Sequence, residues 1–435
     1  MSLWYKLTGA LLIFCLLLTA CSSQQGETVS PVQDESVEEG QVITIENPQV
    51  LTEQTAANTK DGKQYQIQTR LTDFHLLSEN SGIAWGATRS ELRLYLTQNS
   101  GKTWTSISPA ASVQFPYHPK YNRDIFFYNE TYGWIVRNPV GSSDAIVLRT
   151  RDGGATWKIA ALPGSEQVAA IYFTDDSHGW ILAAKSYPEK EEKTLYQTED
   201  GGATWSKIMG SLSSSDAALE HLLPSSGSEL SMVFRDRMHG YVSMISSGIP
   251  KLYTTDNGGI SWSEVKDFFS TAKYKSCEKF VAGELQFFST EPFLSSEPFF
   301  SSEPLNGWIP IGCVKEKSTK FNGYFTPDNG DTWNLAPFNS FWQDGLNESL
   351  APAFISSEEG WLLRDSKVYH TLDQGKTWTL LPESKVLTKI LTDYPEIVKL
   401  RFSTAEVGWL LVAQSNQKRS LLLQTLDGGV SWRVL

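Results

Sequence analysis

An octet of the form Thr-x-Asp/Asn-x-Gly-x-Thr/Ser-Trp occurs seven times in the 435 residues. The copies are TQNSGKTW (97–104), TRDGGATW (150–157), TEDGGATW (198–205), TDNGGISW (255–262), TPDNGDTW (326–333), TLDQGKTW (371–378) and TLDGGVSW (425–432). Their third positions are Asn99, Asp152, Asp200, Asn257, Asp328, Asp373 and Asp427, separated by 53, 48, 57, 71, 45 and 54 residues. A motif recurring at about 50 residues marks a repeat architecture, and that period suits a four-stranded propeller blade. Seven copies predict an all-β, seven-bladed β-propeller of four-stranded antiparallel blades.

Each part of the octet is a folding device. The Asn or Asp side chain can hydrogen-bond backbone two residues on, and the Gly supplies the positive φ of a tight turn. The flanking hydroxyls offer further partners for backbone N–H groups, and the closing Trp buries a large ring. A second signal precedes each octet: an apolar strand, a polar turn, then Gly-aromatic. It reads IFFYNETYGWIV (125–136), IYFTDDSHGWIL (171–182), MVFRDRMHGYVS (232–243), PAFISSEEGWLL (352–363) and LRFSTAEVGWLL (400–411), with LNGWIPI (305–311) in the fifth repeat and a looser SGIAWGA (81–87) in the first. Of the 15 Trp, seven close octets and six sit in Gly-aromatic turns, Tyr241 standing in the fourth. Trp4 lies near the N-terminus, so within the repeat region only Trp342 is unexplained by the repeat.

The octet resembles the Asp-box (BNR) repeat. Over 71–432 the combined rhythm also resembles the photosystem II assembly/stability factor family, which implies chaperone-like binding of an assembling membrane protein. That family's activity is attributed to a basic patch. Here the formal net charge is −12, and the arginine pairs Arg149/Arg151 and Arg235/Arg237 stand apart. Asp boxes also occur in sialidases, but there is no Arg-Ile-Pro motif, and Arg89, Arg93, Arg123, Arg137, Arg364 and Arg419 form no triad recognisable in the sequence. Xyloglucanase-like enzymes pair two propellers around a cleft, and this chain has repeats for one.

The N-terminus reads as a secretory leader over 1–20: Lys6, an apolar stretch from Leu7 to Leu18, then Leu18-Thr19-Ala20-Cys21. The apolar stretch is short for a membrane span. The tetrapeptide resembles the lipobox of bacterial lipoproteins, which implies cleavage before Cys21 and acylation of that residue. An ordinary signal peptide with a chance Cys is the alternative. Acyl chains would anchor the body to the extracytoplasmic face of a bacterial membrane without spanning it. Residues 21–63 read as an acidic flexible tether, with no Lys or Arg between Lys6 and Lys60, and with Val42–Ile45 as a short strand candidate. Low hydrophobicity with one-sign charge favours disorder. Loss of the leader removes one Lys, giving 36 − 49 = −13, which argues against nucleic acid or an anionic lipid surface as the main partner.

Residues 64–435 are then the propeller. Ring closure is expected to pair strands from the two ends, with Tyr65–Thr69 or Val42–Ile45 beside the terminal WRVL, because an open strand edge invites aggregation. Cys277 and Cys313 are a candidate disulfide in an oxidising compartment; two independent buried thiols are the alternative. They are placed in the connection entering blade 5 and in that blade's second-to-third-strand loop.

In a propeller the octet turns share one face with the first-to-second-strand turns. The connections between blades and the second-to-third-strand loops share the other, and there the chain varies. Long irregular loops on a rigid scaffold are the usual home of binding residues. Phe115, Tyr117, His118, Tyr121, Phe268, Phe269, Tyr274, Phe338, Phe341 and Trp342 are the candidate binding face, either as an aromatic platform for a protein or glycan or as packing that plugs the funnel mouth. FFSTEP-FLSSEP-FFSSEP (287–304) is a hexapeptide written three times, its last copy read as the inner strand of blade 5.

No HExxH, GxSxG, P-loop or CxxC occurs, and no metal site or cofactor is expected. His178 and His239 occupy the same turn position, and TPDNGDT (326–332) lacks the downstream Glu of a calcium loop. Loop carboxylates such as Asp124, Glu189, Asp216, Asp344 and Glu348 keep a carbohydrate-active hydrolase as the alternative to a non-enzymatic, membrane-anchored binding or scaffold propeller.

Overall fold

Each repeat gives two antiparallel hairpins in a row, because two turn signals separate three apolar strands and the octet Trp starts a fourth. The computed structural model describes residues 43–46 (backbone), 70–88, 91–110, 115, 119–138, 144–164, 167–186, 191–210, 222–224, 227–274, 276–288, 305–344 and 351–435. Seven antiparallel sheets follow one another along the chain. Blade 1 is Asp73–Leu76, Gly82–Thr88, Glu91–Thr97 and Thr105–Ser106; blade 7 is Glu396–Phe402, Gly408–Ala413, Ser420–Thr425 and Arg433–Val434. The leader, Cys21 and the tether apart from Ile43–Glu46 lie outside the described residues, as do Tyr65–Thr69, Tyr117, His118, Glu189, Asp216 and Glu348.

The octet has the same geometry in every blade. In blade 3, Asp200 Oδ1 accepts from Thr198 Oγ1 (2.8 Å), Ala203 N (2.8 Å) and Thr204 N (2.9 Å), while Oδ2 accepts from Thr204 Oγ1 (2.7 Å). Burial alone would raise this carboxyl, but those bonds hold it below the usual carboxylate range. The fourth and fifth positions both have positive φ, 70° at Gly201 and 83° at Gly202. The fourth-position N–H reaches back to a carbonyl of the first-to-second-strand turn in its own blade, as in Gly201 N to Ser177 O (2.7 Å). The equivalent bond runs from Ser100, Gly153, Gly258, Asn329, Gln374 and Gly428. One backbone bond thus ties the two turns of every blade on one face.

The Gly-aromatic rhythm builds the seams. In six seams the aromatic ring of a blade's second strand packs against the inner-strand Phe of the next blade, while Trp85 of blade 1 meets Tyr121 instead (6.2 Å). Trp134 stacks on Phe173 (3.6 Å between centroids, 12°), Trp180 on Phe234 (3.8 Å, 5°) and Trp361 on Phe402 (3.9 Å, 8°). The same Phe meets its own octet Trp edge-on, as in Phe173–Trp205 at 82° and Phe234–Trp262 at 77°. The Gly before the aromatic leaves room for that Phe: a Cβ on Gly179 would stand 2.4 Å from Phe173. Four seams also carry a polar latch. The indole N–H of Trp134, Trp180 and Trp361 donates to Gly201 O, Gly258 O and Gly428 O at 2.8–2.9 Å, and the Tyr241 hydroxyl donates to Asn329 O.

Three expectations about strand pairing need correction. The ring closes without strand exchange, since blades 1 and 7 each use four consecutive strands. Side chains join them instead: Phe74 against Trp409 (5.8 Å), Lys399 Nζ to Asp73 Oδ1 (2.9 Å) and Leu71 N to Ser420 Oγ (2.7 Å). Ile43–Glu46 pairs antiparallel with Thr156–Ala161, the outer strand of blade 2, so it lengthens a blade and closes nothing. In blade 5 the inner strand is Lys279–Ala282 with Gln286–Phe287, and Phe287 pairs with Gly307. The first hexapeptide copy therefore supplies the seam Phe, and 289–304 lie outside the described residues.

Cys277 and Cys313 are joined in a disulfide, with Cα atoms 5.4 Å apart. Cys313 belongs to the second strand, Gly307–Lys315, not to a loop, because the connection to Ser318–Thr326 is a two-residue hairpin. Tight hairpins also join these strands in blades 4 and 6 (Ser246–Ile249, Arg364–Lys367), while longer connections join them in blades 2 (Arg137–Ile146) and 7 (Ala413–Ser420). The connection from blade 6 to blade 7 holds a helix, Lys385–Asp393, capped by Ser384 with Leu387 and Leu391 buried.

Gly179→Ala is expected to lower the unfolding free energy by about 1–3 kcal/mol through overpacking against Phe173, read as a shift of the urea midpoint at unchanged slope.

Candidate functional site

Alternation in an antiparallel strand sends successive side chains to opposite faces, so an inner strand of mixed polarity puts its polar residues on the propeller axis. Two inner strands here have that pattern, Asp73–Leu76 (DFHL) and Glu396–Phe402 (EIVKLRF). They bring Asp73 and His75 of blade 1 to Lys399 and Arg401 of blade 7. Glu284 comes from the break in the inner strand of blade 5, and its Oε2 accepts from Arg401 Nη2 at 3.0 Å. That pair skips blade 6, so it crosses the channel. Lys399 and Asp73 form the second pair, with side chains 12% and 18% exposed.

His75 stacks on Tyr121 with 3.5 Å between centroids and 10° between planes. The Tyr121 hydroxyl donates to Phe127 O (3.0 Å), and Phe126 bridges Tyr121 to Tyr172. Burial, reinforced by Lys399, pulls the imidazole down to about 3, so it is neutral at ordinary pH. Burial would raise Glu284, but Lys399 and Arg401 hold it below its usual range. The channel therefore carries fixed, mutually compensated charge around a neutral histidine, with Glu284 kept as a carboxylate.

The ten candidates for the binding face divide. Phe115, Tyr121, Phe268 and Phe338 are buried. Phe268 packs on Tyr324 and edge-on to Trp333, and Phe338 on Phe354 and Trp378, so these rings seal the seams under the connections. Phe269 and Tyr274 are half-buried and stack on each other beside Phe280. Phe341 and Trp342 remain open, 39% and 40% exposed. They stand before Gln343–Asp344, which pairs with Ser318–Thr319 at the connection-side end of blade 5. Arg364 lies 4.5 Å over the Phe341 ring, and Tyr369 flanks it at 5.4 Å.

The two described loop carboxylates, Asp124 and Asp344, have structural partners. Asp124 is fully buried, accepting from Arg123 Nε (2.6 Å), Lys120 N (2.9 Å) and Asn138 Nδ2 (3.3 Å). Asp344 accepts from Ser318 Oγ at 3.0 Å. A cavity of about 450 Å³ on the connection-rich face is lined by Gly227, Ser228, Ile245, Ser247, Gly248, Lys279 and Phe280, with no carboxylate among them. Three of the paired arginines serve the seams, Arg149 and Arg151 donating to Asp200 O (3.3 and 2.7 Å) and Arg237 reaching Asp175 (3.5 Å), while Arg235 bonds Asp236 in its own turn (3.3 Å). His178 and His239 bond Asp175 and Asp236 in their own turns. Among the described residues no group of three or more His, Cys, Asp or Glu is placed to hold a metal ion, and no helix is long and apolar enough to cross a membrane.

A family model described as Sortilin-Vps10 (sortilin, neurotensin receptor 3) matches residues 92–240, from the third strand of blade 1 into blade 4. No curated protein matches the chain. Solved structures similar to it include a GH74 xyloglucanase from Xanthomonas campestris, at 13% identity and TM-score 0.48 over 84% of this chain and 54% of that one. The chain thus spans about half the length of the xyloglucanase. A PL25 ulvan lyase aligns at 8% identity and TM-score 0.43, over 84% and 96% of the two chains. An α-L-arabinanase from Penicillium chrysogenum aligns at 12% identity and TM-score 0.38, over 84% and 95%.

Acid is expected to weaken the fold through both channel groups. His75 has a folded value below its unfolded one, so its contribution is complete above about pH 6.5 and is lost as pH falls toward 3. Glu284, also depressed, loses its contribution below about pH 4.5. The urea midpoint should fall from pH 7 to pH 4, and His75→Gln should flatten that dependence by up to ~1.4 kcal/mol per pH unit, one proton's worth.

Proposed function

We propose that this chain is a lipid-anchored, extracytoplasmic propeller that binds a protein at the membrane surface through its connection-rich face, in the service of assembling or stabilising a membrane protein complex. The observation that carries this reading is the open Phe341–Trp342 pair with Arg364 held over it. Aromatic residues and Arg are the types that dominate binding energy at protein interfaces, and a ring already packed on Arg364 and Tyr369 loses little freedom on docking. Cys21 supplies the anchor, and two acyl chains are enough for stable attachment. The opposite face is occupied by the octet turns and their internal bonds. Of the described carboxylates, Glu284 and Asp73 are ion-paired and Asp124 accepts from three donors, so none of these three stands free as an acid or base. A glycosidase needs a carboxylic acid and a second carboxylate, ~5–10 Å apart around the scissile bond.

A photoreactive residue in place of Trp342, in cells carrying the acylated protein, should give one discrete protein adduct, and the same probe at Lys102 on the octet face should give none. Cys21→Ala should release the chain from the membrane fraction. Reducing sugar released from polysaccharide by the purified chain would sink the reading in favour of the hydrolase. Adducts confined to glycan would instead make the face a carbohydrate-binding one.

A further inference from the structure

The connection between blades 4 and 5 is tied to the propeller at its ends and hardly at all between them. It leaves blade 4 at Ser263–Glu264 and enters blade 5 at Lys279–Ala282. Val265 N donates to Leu252 O (2.9 Å) at one end, and Glu278 N to Val314 O (2.9 Å) at the other. In between, the backbone bonds stay within the connection: Phe268 N to Val265 O, Lys273 N to Ser270 O, Tyr274 N to Thr271 O and Cys277 N to Tyr274 O. Its short helical turn, Thr271–Lys273, buries no residue. A segment with few buried contacts and a solvent-exposed backbone sits at the low end of local stability. Two rings and one covalent bond hold it down. Phe269 and Tyr274 pack edge-on to Phe280 at 5.0 and 5.4 Å, and Cys277 is bonded to Cys313.

That bond adds nothing to strand pairing. Lys279–Ala282 already pairs with the second strand of blade 5 from Lys279↔Val314 to Ala282↔Ile311, and Gly307–Lys315 pairs along its length with Ser318–Thr326. What the disulfide restrains is the connection. Its two sulfurs have unequal settings. Cys313 is buried in a middle strand, with Phe280 opposite on one side and Lys320 on the other. Cys277 is only partly buried, at the foot of the connection. A thiolate arriving from solvent therefore meets Cys277, and Cys313 is the sulfur that departs. Lys320, its cross-strand neighbour, supplies a cation that stabilises a departing thiolate. The carboxylate next to Cys277 is engaged elsewhere, since Glu278 Oε2 accepts from Glu316 N at 3.2 Å.

We propose that Cys277–Cys313 is a thiol–disulfide exchange site for a dithiol reductant, and that its opening releases residues 269–277 from the face of blade 5. The attacking thiolate bonds to Cys277 Sγ as the Cys277–Cys313 bond breaks, and Cys313 leaves as a thiolate that takes a proton from solvent. The reductant's second thiol then displaces Cys277, so two electrons pass to the cysteine pair and the reductant keeps the disulfide. Release frees Phe280 from the two rings that clamp it. Phe280 also lines the cavity beside Ile245, Ser247 and Gly248, so the reduced chain has a wider apolar opening at the seam of blades 4 and 5. None of this depends on the lipid-anchored reading.

The folded full-length chain is treated with glutathione, or with dithiothreitol, without denaturant. After alkylation, peptide mass spectrometry separates this pair from Cys15 and Cys21. Glutathione should be found on Cys277 in roughly tenfold excess over Cys313, because the two sulfurs differ in access. After dithiothreitol, the amides of Lys273, Tyr274 and Cys277 should exchange roughly tenfold faster, while those of Lys279–Ala282 keep their protection. Adducts mainly on Cys313, or reduction only in urea that unfolds the chain, would overturn the exchange site and leave a structural staple. Reduction with unchanged exchange at those three amides would overturn the release.

Discussion

The ring depends on one recurring contact, a phenylalanine held between two tryptophans. Phe173, Phe234, Phe354 and Phe402 each lie against the second-strand Trp of the preceding blade and steeply inclined to their own octet Trp, as Phe234 does between Trp180 and Trp262. Aromatic burial of this size dominates core energetics, and the offset and T-shaped geometries add to it. In blades 2 to 7 the Gly before the second-strand aromatic follows from the same contact, since a Cβ there would enter the Phe ring. The octet serves it too, by presenting a carbonyl to the indole N–H across the seam. The motif that looks most like a functional signature is thus joinery.

Uneven seams give the ring its particular character. Trp409 Nε1 has no hydrogen-bond partner among the described residues, and its ring meets Trp104 at 61° and Phe74 at 39°. Blade 7 therefore joins blade 1 with less of the stacking found at Trp134, Trp180 and Trp361. Charge makes up part of the difference: Lys399 bonds Asp73 across that seam, and Arg401 reaches Glu284 across the axis. A partly buried pair is costly to break, because removing one partner strands the other in a low-dielectric setting. The channel cluster is accordingly read as part of ring closure, which leaves the connection-rich face as the place for recognition.

Blade number, octet geometry and the identity of the faces were legible in the sequence because each follows from local chemistry repeated in register. Asp or Asn, Gly and Trp at fixed offsets make the same turn seven times. The channel cluster was not legible, because Asp73, His75, Glu284, Lys399 and Arg401 come from three blades and each looks like an ordinary strand residue in its own segment. The alternation in DFHL and EIVKLRF was the available sign. Blade 5 was misread because the tripled hexapeptide offers Phe287, Phe293 and Phe299 as equivalent inner-strand rings, and only pairing to Gly307 selects the first. Aromatic rings on long connections could not be sorted, since Phe338 folds back under the chain while Phe341, three residues on, does not. The helix at Lys385–Asp393 had a readable signature in Ser384 and the Leu387/Leu391 spacing, obscured by the all-β pattern around it.

The stacking across the seams is tested most directly by a double-mutant cycle on Trp180 and Phe234, whose rings lie 3.8 Å apart at 5° across the junction of blades 3 and 4. Trp180→Leu, Phe234→Leu and the double variant are compared with the parent chain by urea unfolding. A coupling energy of about 0.5–1.5 kcal/mol is expected for rings that stabilise one another beyond the area they bury. Simple additivity of the two losses would contradict the account, because the blades would then be held by burial alone and the ring pairing would have no part in joining them.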